Sequence, residues 1–128
     1  MWRTWKKNIQ NPSWLSQKKP YLDYVATITS TDENFKKLIT ENKLVLVDFW
    51  ASWCAPCKAI APVLESISET VKDCKIAKHN IDNDPNIATA EGIRSIPTMF
   101  LYKDGKHVET IVGAQDQSAI LSVIKKYI

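Results

Sequence analysis

The sequence predicts an α/β sandwich, a central mixed β-sheet with helices on both faces, and three observations carry that prediction. From Tyr24 onward, apolar segments of strand and helix character alternate. One of them, Leu44-Val45-Leu46-Val47-Asp48-Phe49-Trp50, is apolar on both faces, which suits a central parallel strand covered from above and below. The resulting order, β-α-β-α-β-α-β-β-α, has no internal repeat and no low-complexity stretch, and it fits a layered sheet.

The elements follow in order. Tyr24–Thr29 reads as a short strand, and Ser30-Thr31-Asp32-Glu33 as a capping box whose hydroxyl and carboxylate satisfy free amides at a helix start. The helix it opens shows Phe35, Leu38 and Ile39 on one face. After the central strand, Cys54–Lys72 forms a helix with Ile60, Val63, Leu64 and Ile67 as its inner stripe. Pro62 is expected to kink it, because proline removes an amide donor and crowds the preceding turn. Lys75–Ile81 is a strand, and Pro85–Glu91 a short helix opened by proline. Thr98–Tyr102 and His107–Val112 form a hairpin around Asp104-Gly105. Asp116 caps a last helix with Ile120, Leu121 and Ile124 inward.

Charge divides the chain in two. Residues 1–22 carry Arg3, Lys6, Lys7, Lys18 and Lys19 with no acid, and three of the five tryptophans (Trp2, Trp5, Trp14). The rest holds 12 basic and 14 acidic side chains, so the body is slightly acidic and gives no reason to expect nucleic acid. We therefore read residues 1–22 as a basic, Trp-rich extension and 23–128 as one domain. Trp2, Trp5 and Ile9 would share a face of a short helix, which suits weak contact with a membrane surface, docking on the body or a partner, or an address tag removed later; a docked or disordered appendage is the preferred reading. The longest apolar runs, Leu44–Val47 and Ile96–Tyr102, fall far short of the roughly 20 residues that span a bilayer. An odd cysteine count of three argues against a disulfide-stapled secreted scaffold, and no signal-peptide apolar region precedes Tyr21, so a cytoplasmic address is expected.

Chemistry concentrates in Trp53-Cys54-Ala55-Pro56-Cys57-Lys58, where the buried strand turns into a helix. Two cysteines three apart on a first helical turn can close a small disulfide, with the first facing solvent and the second pointing inward. Helix N-terminal amides stabilise a thiolate and bring the attacking cysteine from about 8.5 toward roughly 7, close to the optimum for thiol exchange. Cys54 is then the nucleophile and Cys57 the resolving thiol. A zinc site built from Cys54, Cys57, Cys74 and His79 is the competing reading. The helix between Lys58 and Lys72 is about 22 Å long at roughly 1.5 Å per residue, which carries Cys74 to the far end of the sheet. Asp48 stands inside an apolar strand, where burial raises a carboxylate's pKa and fits it to take the Cys57 proton, through water. Cys74 reads as a small, half-buried residue. His79 is expected on a strand and His107 at the hairpin, both away from the cysteine pair.

The segment Val47-Asp48-Phe49-Trp50-Ala51-Ser52-Trp53-Cys54-Ala55-Pro56-Cys57-Lys58 resembles the active-site segment of the thioredoxin family. The resemblance continues through Lys78-His79-Asn80-Ile81-Asp82, Gly92-Ile93-Arg94-Ser95-Ile96-Pro97-Thr98, Lys103-Asp104-Gly105 and Val112-Gly113-Ala114, covering residues 24–128. Ala55 departs from the family's commonest pattern, which has glycine there. The resemblance implies a thioredoxin fold and a general protein disulfide reductase that cycles Cys54 and Cys57 between dithiol and disulfide, serving electron transport and cell redox homeostasis. It implies a cis bond at Ile96-Pro97, and a substrate surface of Trp53, Ala55, Pro56, Ile96, Pro97 and Gly113. Lys78 would moderate the Asp48 pKa. The implied partners are disulfide-bearing client proteins and an NADPH-dependent flavoenzyme reductase. The chain is expected to act as a monomer and to need no cofactor or metal. On the same fold, an oxidase or isomerase, or an adaptor with silent cysteines, is the alternative. The Ala55-Pro56 pair favours the reducing side over the histidine-containing pairs usual in oxidases and isomerases.

Every predicted element and both cysteines lie beyond residue 22, so its removal tests the boundary. Deleting residues 1–22 is expected to leave insulin reduction within about twofold of the full-length rate. Loss of catalysis would place the boundary earlier in the chain.

Overall fold

The segment Leu44–Trp50, β2, is buried at its first six residues, and the other elements are laid around it. The structure, a computed structural model, describes residues 27–128. Against β2 lie β3 (Lys75–Asn80) in parallel and β4 (Thr98–Lys103) antiparallel. A short β1 (Ile28–Ser30) runs parallel to β3 at one edge, and β5 (Lys106–Val112) runs antiparallel to β4 at the other. The result is a five-stranded mixed sheet in the order β1-β3-β2-β4-β5, with the predicted sequence of elements.

Strand alternation sorts the core into two layers. Leu44 and Leu46 of β2 pack against Ile60, Leu64 and Ile67 of α2 (Ala55–Thr70) and against Ile120 and Ile124 of α4 (Gln117–Lys125). Val45, Val47 and Phe49 face the other way, onto Phe35, Leu38 and Ile39 of α1 (Phe35–Glu41) and Ala88 of α3 (Pro85–Ala90). Burying each such Leu, Ile or Phe is worth roughly 1.5–3 kcal/mol, so both faces of β2 contribute to holding the layers together. Val63 and Leu121, expected among the inward residues, are only partly buried and pack at the margin.

Local signals explain most element ends. Asp116 caps α4 by accepting from the Ala119 amide at 2.9 Å. The hairpin turns at Asp104 (φ 51°) and Gly105 (φ 82°), the paired left-handed residues of a type I′ turn. The register shifts after Leu101, which faces Glu109 while Tyr102 faces His107, so Val108 bulges outward. Strand and helix limits otherwise agree to within two residues. Of the strand expected at Tyr24–Thr29, residues 24–26 lie outside the described residues, and β1 extends to Ser30.

The capping box is displaced by one residue from its expected place at Ser30 and Glu33. The Thr31 hydroxyl accepts from the Asn34 amide at 3.0 Å, and the Asn34 side-chain oxygen accepts from the Thr31 amide at 2.7 Å. The Ser30 hydroxyl is occupied elsewhere, 2.8 Å from His79 Nδ1. A long-range partner therefore outcompetes the local cap. α2 continues through Pro62, whose ring is exposed on the outer face of the helix.

Candidate active site

At the end of β2 the chain turns through Ala51–Trp53 and enters α2 with Cys54 as the N-cap. Cys54 has extended backbone (φ −92°, ψ 108°), while its carbonyl already accepts from the Lys58 amide at 3.2 Å. Pro56 sits in the first turn, where a missing amide costs nothing. Cys54 and Cys57 are joined by a disulfide with their Cα atoms 5.3 Å apart. The Cys57 amide points at Cys54 Sγ from 3.2 Å, the donor a thiolate needs when the bond opens.

Around this pair the sheet supplies a second layer of backbone. Ile96-Pro97 is a cis bond, and the Ile96 carbonyl oxygen lies 3.8 Å from Cys54 Sγ. Gly113 donates its amide to the Pro97 carbonyl at 2.8 Å from a left-handed conformation (φ 89°) that side chains disfavour. Helix geometry predicts a solvent-facing Cys54, but only 5% of it is exposed, against 2% for Cys57. The reason is packing: Trp50, Ile81 and Ile96 close over a small cluster of Ala51, Cys54 and Cys57. Ala55 and Pro56 remain exposed beside it.

Trp53 stands out from this surface with 67% of its area exposed. Its indole N–H donates to Asp82 Oδ2 at 2.9 Å, across 29 residues of sequence. Asp82 is a site residue that sequence reasoning does not single out, and its only signal is its place in the run Asn80-Ile81-Asp82. The structure thus brings Trp53, Cys54, Ala55, Pro56, Ile96, Pro97 and Gly113 to one end of the sheet.

Asp48 lies beneath, on the face of β2 that α2 covers. It is wholly buried, and neither carboxylate oxygen has a hydrogen-bond partner among the described residues. Burial pushes its pKa up to about 7, and the nearby Lys78 cation pulls it partly back. Lys78 is the β3 residue in register with Asp48, and its ammonium lies 4.8 Å over the Trp50 ring. A carboxylate with that pKa can take or release a proton near neutral pH.

Cys74 and the histidines lie apart. Cys74 precedes β3, whose first residue pairs with Val45 near the start of β2, whereas Cys54 follows the end of β2. The zinc reading fails on that separation. Cys74 is also more buried than expected, at 3% exposure, and burial pushes its thiol up to about 12. His79 is buried in β3, and His107 lies exposed at the start of β5, stacked on Phe100 with ring centroids 3.8 Å apart.

Comparison with known proteins agrees with this geometry. The thioredoxin family model matches residues 26–126. "Thioredoxin" from Rickettsia felis is 48% identical over 100 residues, covering 77% of this chain and 95% of that protein. "Thioredoxin M-type, chloroplastic" from Chlamydomonas reinhardtii is also 48% identical, over 99 residues, covering 76% of this chain and 71% of that one. The solved structure of Plasmodium falciparum thioredoxin superposes with a TM-score of 0.74 at 39% identity, over 79% of this chain and 99% of that one.

Asp48 makes stability depend on pH in a stated direction. An unfolded aspartate ionises near about 3.9, while in the fold Asp48 holds its proton to about 7. Between those values the unfolded chain binds fewer protons, so this group lowers stability as pH rises and adds no further loss above the folded value. Asp48→Asn is therefore expected to become more stable relative to wild type by roughly 3–4 kcal/mol between about pH 4 and about pH 8, read by urea unfolding. A stability difference that does not change with pH would contradict the raised pKa.

Proposed function

The chain belongs to the thioredoxin family and is a thiol–disulfide oxidoreductase, and from that premise we propose that it works as a general protein disulfide reductase. The observation that carries this reading is the Cys54–Cys57 disulfide at the start of α2, with the Cys57 amide aimed at Cys54 Sγ. In the reduced protein the Cys54 thiolate attacks one sulfur of a client disulfide. A Cys54–client bond forms, the client's S–S bond breaks, and the departing client sulfur leaves as a thiolate that takes a proton from solvent. Cys57 then gives its proton, through water, to the Asp48 carboxylate, and its thiolate attacks Cys54 Sγ. The Cys54–Cys57 bond forms as the mixed disulfide breaks. The client's second sulfur leaves and takes up a proton, so the client gains two electrons and the protein loses two. Lys78 keeps the Asp48 proton affinity within reach of neutral pH.

The client segment lies across the surface of Trp53, Ala55, Pro56, Ile96, Pro97 and Gly113, where the Ile96 carbonyl beside Cys54 would accept from an extended chain. Electrons return through an NADPH-dependent flavoenzyme reductase, and the protein acts as a monomer. A cytoplasmic address follows from the odd cysteine count and from reductive chemistry that a reducing compartment sustains. A plastid is the competing address, given the printed name of the Chlamydomonas relative. No described helix is long and apolar enough to cross a membrane. Contact between residues 1–22 and an anionic membrane surface remains part of this proposal, on their five cations.

Direction is tested by redox titration against glutathione. The potential is expected within about 30 mV of the value near −270 mV typical of thioredoxins. A value near about −180 mV would make the chain an isomerase or oxidase instead.

The division of labour between the thiols is tested by trapping. Cys57→Ser should accumulate mixed disulfides with clients, seen on non-reducing gels, whereas Cys54→Ser should trap none. Equal trapping by both variants would overturn the assignment of nucleophile and resolving thiol.

A further inference from the structure

His79 is wholly buried, titratable and unused by the thiol chemistry, yet both its ring nitrogens are engaged. Nε2 lies 2.9 Å from the Asp84 carbonyl oxygen, which can only accept, so Nε2 carries a proton. In the neutral ring Nδ1 then accepts from the Ser30 hydroxyl at 2.8 Å. Asp32 Oδ1 stands 3.4 Å from Nε2, and the same carboxylate accepts from the Asn86 and Ile87 amides at the start of α3. The Asp32 amide in turn donates to Asp84 Oδ1 at 3.0 Å. Phe35 and Phe49 close over the ring, with centroids 6.1 and 5.2 Å away.

What this network holds is the turn between β3 and α3. At its start the Ile81 amide donates to the Trp50 carbonyl at 2.9 Å, and the Asn80 side chain accepts from the Asp82 amide at 2.9 Å. At its end stands Asp84, bound by His79 and by Asp32. Between these anchors Asp82 is exposed and takes the Trp53 indole N–H. The outer wall of the disulfide surface thus rests on a turn whose far end is tied to a buried histidine.

We propose that His79 is a positioning residue for Trp53, acting through the Asp84 carbonyl and the Asp82 carboxylate to hold the indole wall against which a protein client docks. The use of that wall rests on the docking reading given above. The link from His79 to Trp53 does not.

The test uses the full chain and a double variant, Ser30→Ala with His79→Leu. His79→Leu alone would strand the buried Ser30 hydroxyl as well, whereas the double variant removes both ends of that bond and leaves the Asp84 carbonyl as the acceptor whose loss of a partner is read. Solvent exchange of the Trp53 indole N–H is read by NMR, with the signal assigned through Trp53→Phe. Exchange in the double variant is expected to rise about fivefold, the scale of one lost net hydrogen bond. The KM for insulin should rise by a similar factor, with kcat and the rate toward a small disulfide unchanged. Ser30→Ala alone keeps the bond from Nε2 to Asp84 and should leave exchange at the wild-type rate. Wild-type exchange in the double variant would overturn the proposal, as would Ser30→Ala matching the double variant. Faster exchange with an unchanged insulin KM would uphold the link to Trp53 and remove only the docking reading.

Discussion

Burial of β2 on both faces is the constraint from which the rest follows. A strand covered above and below needs apolar residues along its whole length, and it needs a helix layer on each side. Leu44 and Leu46 call for α2 and α4, while Val45, Val47 and Phe49 call for α1 and α3. The same strand sets where chemistry can happen. At its far end the chain leaves the core through Ala51–Trp53 and enters α2 with Cys54 as the N-cap. A helix start offers unpaired amides, and the rigid strand behind it fixes where they point.

Asp48 is the one residue that breaks the apolar rule of β2, and it does so close to the end of the strand from which the disulfide turn departs. Local patterning disfavours a carboxylate there, and its two unpartnered oxygens show that the described fold does not compensate it with hydrogen bonds. Lys78 compensates only in part. Such a violation of core design is expected where stability is given up for function, and it fits the proton-accepting role proposed for Asp48. It also sets the chemistry apart from the docking surface. In the cycle proposed above, proton handling is buried under the helix, while client contact is left to Trp53 and the two loops around Ile96 and Gly113.

Most of this is legible in the sequence, because it is written in short-range patterns. The spacing of Ile60, Leu64 and Ile67, the Asp104-Gly105 turn and the Asp116 cap each depend on residues a few positions apart, and each appears in the structure. What escapes depends on partners far along the chain. Ser30 reads as a cap because its neighbours fit the pattern, but its hydroxyl meets a histidine 49 residues away. Asp82 carries no local mark of its bond to Trp53, since the two stand 29 positions apart and nothing between them announces it. Solvent access to Cys54 is hidden from sequence reasoning for the same reason. Helix geometry alone puts it outward, and only the assembled fold brings Ile81 and Ile96 over it.

The placement of Cys74 has a consequence for stoichiometry. Three cysteines would ordinarily leave an oxidised molecule with an odd thiol able to reopen its own disulfide or bridge to a second copy. Here the third sulfur is sealed at the opposite end of the sheet and held up to about 12, so at neutral pH almost none of it is thiolate. Burial and protonation thus disfavour attack by this thiol on the Cys54–Cys57 bond. An odd cysteine count is made to behave, chemically, as an even one.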